Sequence, residues 1–343
     1  MKTKKPCLTL VAGMLLTGSL GSIHAFSVFI EPLETLLGAS RASISLLYSF
    51  ALLFLTISVL LGYRIYSIFS PPLLAALACG VAALGLAISA YANSLTLLWI
   101  GYSLLFGGAN GVGYGYALQL VAQAMPKRSG FAMGSVTAVY ALGATLFAKV
   151  FTGLIETFSV SATLLAMAAV LMAVAILAAV LLQVSGATYQ NNRKSIVNTS
   201  ANNTSLIILW AGYGLGAAAG LMAIGHATGI VATAGGTAQQ WILGAMLIGL
   251  GNAIGGFVAG WLVDRSPVRI LLLFLPLLSM LVLIVLIYNQ NVTVAVVSLC
   301  VIGFAYGAII AVYPYAVAYY FGAAAAAKIY GRVFTAWGLA GLG

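Results

Sequence analysis

Arg269-Ile270-Leu271-Leu272-Leu273-Phe274-Leu275-Pro276-Leu277-Leu278-Ser279-Met280-Leu281-Val282-Leu283-Ile284-Val285-Leu286-Ile287-Tyr288 carries a single charge, at its head. As a helix it is about as long as the ~30 Å hydrocarbon core of a bilayer. Runs of this kind recur on both sides of it, broken by short polar clusters. They predict helices at about 8–30, 43–63, 71–91, 95–124, 131–154, 160–183, 205–228, 239–263, 269–288 and 292–320, with an eleventh starting near 330. The totals agree. Of 343 residues, 63% are hydrophobic and 5% charged, with a mean hydropathy of +1.14. A soluble domain carries about 25% charged residues. This chain cannot cover a surface of that kind, so lipid must replace water around most of it. The fold class expected is an all-α polytopic membrane protein.

The net charge of +10 does not indicate nucleic acid. The basic residues sit singly or in pairs between apolar runs and form no stripe for phosphates. Topology accounts for them instead. With the N-terminus in the cytoplasm, Lys2, Lys4, Lys5, Arg64, Lys127, Arg128, Arg193, Lys194, Arg265, Arg269, Lys328 and Arg332 fall inside, which is 12 of the 14 basic residues. Arg41, in the first outer loop, and Lys149, within the fifth helix, are the exceptions. Glu31, Glu34 and Glu156 are expected outside. The opening Lys2, Lys4 and Lys5 resemble a signal peptide, with Ile23-His24-Ala25 a poor cleavage site. The apolar stretch runs on from Leu8 to Ile30, so it reads as an uncleaved first helix in a cytoplasmic, or inner, membrane. Cys7, Cys79 and Cys300 lie far apart, without metal-ligand spacing or a disulfide framework.

The longest polar segment, 184–204, reads as a cytoplasmic linker between an N-terminal six-helix bundle, 1–183, and a C-terminal bundle, 205–343. A weak internal repeat supports two halves. Gly62 and Gly260 are 198 residues apart, and so are Thr137-Ala138 and Thr335-Ala336. Gly107, Gly108 and Gly111 of the fourth helix have counterparts in Gly303 and Gly307 of the tenth. Such repeats are typical of major facilitator architecture. By the same repeat, a twelve-helix chain would continue past Gly343, so the second bundle is expected to be incomplete, truncated within helix 11. Two sequons, Asn198-Thr199-Ser200 and Asn202-Asn203-Thr204, fall on the inside and are read as chance.

Several motifs now converge. Gly21-Ser22-Ile23-His24-Ala25-Phe26-Ser27-Val28-Phe29 followed by Pro32-Leu33 resembles the first helix of the oxalate/formate antiporter-like family of the major facilitator superfamily. Gly111-Val112-Gly113-Tyr114-Gly115, then Pro126-Lys127-Arg128-Ser129-Gly130, resembles its fourth helix and the loop that follows. Asn252, Gly255, Gly260 and Asp264-Arg265 look like its eighth helix. Tyr330-Gly331, Thr335-Ala336 and Gly338-Leu339-Ala340-Gly341 look like its eleventh. The resemblance implies two bundles rocking about a midplane site that holds a small organic anion. It also implies departures. Dicarboxylate carriers of that family place an arginine where this chain has Gly256 and a lysine where it has Trp337. Without those cations a dianion lacks compensating charge in a low-dielectric cavity. An Asp-Arg pair after helix 2 is also absent, because Tyr66-Ser67 stands at that offset.

The candidate substrate-binding residues are His24, Tyr114, Tyr140, Lys149, Tyr313 and Trp337. Thr17, His24 and Ser27 fall within about 80° on a helical wheel, a small polar stripe suited to a cavity wall. In the resemblance, His24 stands where the family has a cavity tyrosine, and a histidine there adds a side chain of the type that ordinarily titrates near physiological pH, which suits proton coupling. The alternative is a neutral histidine bonded to a neighbouring helix. Lys149 is an ionisable group inside a span, yet it lies ~27 Å along its helix, near enough to the outer face to snorkel. Tyr140 and Lys149 are about 180° apart on a straight helix, so a bend, at Gly143 for example, is needed for both to face one cavity. Tyr140, Tyr313 and Trp337 match cavity positions of the family, and Tyr114 lies in the glycine stretch. Asp264-Arg265 resembles a gate pair, the alternative being a topological anchor.

No catalytic constellation, metal set or cofactor motif stands out. The leading reading is a monomeric secondary transporter of a monocarboxylate-like anion, by exchange or with protons. An exporter of neutral or amphipathic compounds, a membrane sensor and an inactive truncated product are the alternatives.

Overall fold

The computed structural model describes residues 3–190, 203–289 and 291–341, and every regular element among them is helical. Ten helices are long and apolar enough to cross a membrane. They are α1 (Pro6–Leu37), α2 (Arg41–Gly62), α3 (Pro71–Ala90), α4 (Leu95–Ala124), α5 (Ser129–Thr157), α6 (Val160–Ser185), α7 (Asn203–Gly225), α8 (Ala238–Val263), α9 (Val268–Tyr288) and α10 (Val292–Phe321). A shorter α11 covers Ala326–Ala340. Lys2, Arg193, Lys194, Asn198-Thr199-Ser200 and Asn202 lie outside the described residues, so the positions expected of them are not part of the structure.

The helix ends follow local chemistry. Ser40 and Ser159 accept backbone N–H bonds at the starts of α2 and α6, and Asn291 does the same for α10. Thr237 and Gln240 form a capping box on α8. Gly38 (φ 60°) and Gly186 (φ 61°) end α1 and α6 in the left-handed conformation that suits glycine.

Two differences from the sequence expectation matter. Helix α1 runs to Leu37 rather than stopping near 30. Glu31 and Glu34 therefore occupy its last turns, where Glu34 lies 3.9 Å from Arg41. Pro32 is tolerated because its α-helical segment begins only at Ile30, so the ring sits in a first turn. The seventh helix also ends at Gly225, short of the expected 228, and a separate short helix, Ala227–Thr233, follows it.

The described residues gather into two compact units. Within the described residues, the first comprises 3–124 and 143–190, and the second 125–142, 203–289 and 291–341, so α5 contributes to both. In the first unit, the glycines of α4 face α2 at backbone distance. A Cβ on Gly107 would strike Ala51, and one on Gly111 would strike the Leu55 carbonyl. The second unit repeats the device. Gly303 and Gly307 of α10 lie on Ile248 and Asn252 of α8, while Gly251 and Gly255 of α8 lie on Cys300 and Phe304. Small residues let helices approach where lipid supplies no hydrophobic drive between them. This is why glycines four apart recur on these helices. Of the apolar window in α10, 72% is buried, against 17% in α9, so α10 is the centre of its unit and α9 turns mostly to lipid.

Candidate functional site

In the first unit α1 is not uniform. From Gly21 to Phe29 it tightens into a 3₁₀ helix, a length at which such helices are rare. His24 sits in this stretch. Its Nδ1 lies 2.7 Å from the Tyr48 hydroxyl of α2, ring edge to ring face. Phe26 stacks on Tyr48 at 5.7 Å and tilts against Tyr102 of α4 at 4.8 Å. Two carbonyls of α1 accept side-chain donors from α4: Leu20 from Asn110 Nδ2 at 2.6 Å and Ile23 from Tyr102 Oη at 3.1 Å. Tyr114 is buried on α4 in the same unit.

Lys149 also belongs to this unit and is exposed. Tyr140, half-buried, falls in the part of α5 that packs with the second unit. The two therefore sit in different units. Gly143, where a bend was expected to reconcile them, lies against the Gly18 carbonyl of α1.

In the second unit, α7 offers glycines four apart to α10. Gly220 receives the Tyr306 ring, Gly216 receives Ile309, and Gly212 receives the Tyr313 hydroxyl. Tyr313 lies 4.6 Å from the Tyr213 ring. From α11, Trp337 stacks on Phe334 at 5.0 Å and donates its indole N–H to Tyr306 Oη at 2.9 Å. Trp210 ties α7 to α11 through Thr335, at 2.9 Å. The position where a lysine was expected to hold an anion is thus part of a buried aromatic wall.

Asp264 and Arg265 part company. The Asp264 carboxylate accepts from the backbone N–H groups of Gly130 and Phe131, both at 2.8 Å, and so caps α5. Just beyond it, Gly130 and Gly134 of α5 meet Gly260 of α8 backbone to backbone, and Gly256 faces Ala138. Arg265 instead folds over the Trp261 ring, 4.1 Å from its centroid, and donates to the Trp261 carbonyl. At the offset of the missing first copy, Tyr66 is buried, with its hydroxyl end between Gly62 and Gly115 and its ring between Tyr116 and Tyr189. Burial pushes the Tyr66 and Tyr189 hydroxyls well above the usual phenol range.

Tyr48, Tyr102, Ser103, Asn110 and Tyr306 were not among the candidates. Tyr306 had a signal in the glycines of α7, and the others had none, since tyrosine and serine are common throughout the chain.

The chain matches the Major Facilitator Superfamily over residues 9–343. It is 23% identical over 344 residues to the "Uncharacterized MFS-type transporter YhjX" of Escherichia coli (strain K12), covering 97% of this chain and 85% of that protein. Among solved structures, it is similar to the proton:xylose symporter XylE bound to 6-bromo-6-deoxy-D-glucose. That match has a TM-score of 0.69 and 16% identity, over 98% of this chain and 86% of the other. The transporter FucP in the outward conformation also gives a TM-score of 0.69, at 14% identity, over 97% of this chain and 88% of the other. A helical multi-pass fold, paired glycine seams and a match along nearly the whole sequence agree, and this chain belongs to the major facilitator superfamily of membrane transporters.

Proposed function

We propose that the protein is a secondary transporter of a small monocarboxylate-like anion carried together with a proton, of the oxalate/formate antiporter-like kind. It works by alternating access. Residues 1–183 and 205–343 act as two bundles joined by 184–204, with the N-terminus in the cytoplasm and the chain in the inner membrane. Asp264 latches one state by capping α5, and Arg265 anchors the end of α8 at the membrane surface. His24, Tyr114, Tyr140, Tyr313 and Trp337 line the route.

The carrying observation is the distribution of cations. Among the described residues of α1 to α10, every lysine and arginine except Lys149 sits within two residues of a helix end, and Lys149 is exposed. A spanning interior without fixed positive charge favours a cargo of zero net charge, and a monoanion plus a proton meets that condition. His24, bonded to Tyr48, supplies the titratable group. A second reading, a neutral or amphipathic solute, is favoured by the Trp337–Tyr306–Phe334 wall.

Uptake of labelled monocarboxylates, dicarboxylates and neutral solutes into proteoliposomes tests this. The expected result is monocarboxylate uptake driven by an inward proton gradient, slow dicarboxylate uptake, and loss of the gradient effect in His24→Tyr. Dicarboxylate uptake matching the best monocarboxylate would sink the charge-based reading. Gradient-independent uptake of a neutral solute alone would favour the second.

A further inference from the structure

Serines and threonines inside membrane helices commonly bond the carbonyl four residues back in their own helix. Thr56, Ser89 and Ser135 do so here. Ser103 does not. Its hydroxyl donates to the Leu47 carbonyl of α2 at 2.7 Å. The residue before it, Tyr102, donates to the Ile23 carbonyl of α1 at 3.1 Å. Leu47 directly precedes Tyr48, and Ile23 directly precedes His24. Two consecutive residues of α4 therefore grip the backbone immediately before each member of the His24–Tyr48 pair.

Consecutive residues of a helix point about 100° apart, so Tyr102 and Ser103 face two different neighbours, and they do so in an unusual part of α4. From Trp99 to Phe106 the helix widens to π geometry, which is rare and concentrates at functional positions. Tyr102 and Ser103 both lie in that stretch, and both are buried. On the other side, the carbonyl that Tyr102 takes belongs to the 3₁₀ stretch of α1. A widened turn of one helix thus meets a tightened turn of another. The Phe26 ring fills the space between them, against both Tyr48 and Tyr102.

We propose that Tyr102 and Ser103 are positioning residues that set the His24–Tyr48 contact by clamping the chain before each partner. The clamp rests on the reading of His24 as the coupling group for its functional meaning, but its geometry is independent of it. Loss of either prong frees one of the two backbones, and the ring nitrogen and the phenol no longer hold one another in a single arrangement.

The chain has two histidines, His24 and His226, so ¹⁵N-histidine labelling of the protein in lipid nanodiscs gives a confined probe. In the wild type, His24 is expected to show two well-separated ring-nitrogen resonances, those of one fixed tautomer. Tyr48→Phe moves them toward the averaged position of exchanging tautomers. Tyr102→Phe and Ser103→Ala, each removing one oxygen, produce the same movement, and Ser103→Thr restores the wild-type pattern. His226, exposed and in the second unit, serves as an internal chemical-shift reference, and the return of the wild-type pattern in Ser103→Thr is the control for an intact first unit. Averaged His24 nitrogens in the wild type overturn the proposal. So does a His24 signal that moves in Tyr48→Phe but not in Tyr102→Phe or Ser103→Ala. Proton-driven uptake by the same variants is a separate readout. If the His24 signals move and the gradient effect persists, the clamp stands and the coupling role of His24 falls.

Discussion

Asp264 holds two backbone N–H groups with its two carboxylate oxygens, while the adjacent Arg265 turns to an indole ring. The two residues that look like one motif therefore do separate things. A carboxylate at a helix N-terminus satisfies orphan donors and meets the positive end of the helix dipole, together worth about 1–2 kcal/mol. Asp264→Ala should therefore raise the opening equilibrium of the first turn of α5 by roughly 5- to 30-fold. Hydrogen exchange of a peptide spanning residues 126–134 reads this directly, and unchanged exchange would remove Asp264 from the latch. Trp337 shows the same dependence on context. With its N–H given to Tyr306 and its ring on Phe334, it completes a wall and does not replace the charge of a lysine.

At the level of helices, the glycine seams decide which neighbours touch. Gly111 lies against the Leu55 carbonyl with no room for a side chain, whereas Gly80, inside α3, has nothing nearby. Gly111→Val should destabilise the protein by about 1–3 kcal/mol through overpacking. Gly80→Ala should stabilise it by roughly 0.5–1 kcal/mol, since alanine suits a helix interior better. Thermal unfolding in detergent distinguishes them, and equal midpoints would show that the seam is not closely packed. The spacing of four in Gly107 and Gly111, and in Gly303 and Gly307, puts each pair on one helix face and was legible in the sequence. The clamp at Tyr102 and Ser103 was not. It lies where one helix widens and another tightens, and periodicity assumes that every helix keeps a constant pitch.

For the molecule as a whole, the spans were readable to within a few residues because a hydrocarbon core fixes their length and composition. The long α1 is the exception, since acidic residues in a helix's last turns read as loop. Orientation is open to direct test. Single cysteines at Lys127 and Glu156, near the two ends of α5, in a background lacking the exposed Cys7, should differ in reactivity toward a membrane-impermeant maleimide. In intact cells position 156 should label, and position 127 only after permeabilisation. The opposite pattern would invert the topology. The 3₁₀ stretch of α1 has a final effect, on length. With nine residues rising 2.0 Å each and the rest 1.5 Å, the helix measures about 52 Å against a ~30 Å core. Even at a 40° tilt it spans about 40 Å along the membrane normal, so its ends clear the hydrocarbon core and stand among the headgroups, Lys4 and Lys5 at one end and Glu34 with Arg41 at the other. Rewinding that stretch to α-helix would draw the two ends together by about 4–5 Å, nearly one turn. The helix is a strut whose length depends on the hydrogen bonds that hold its middle.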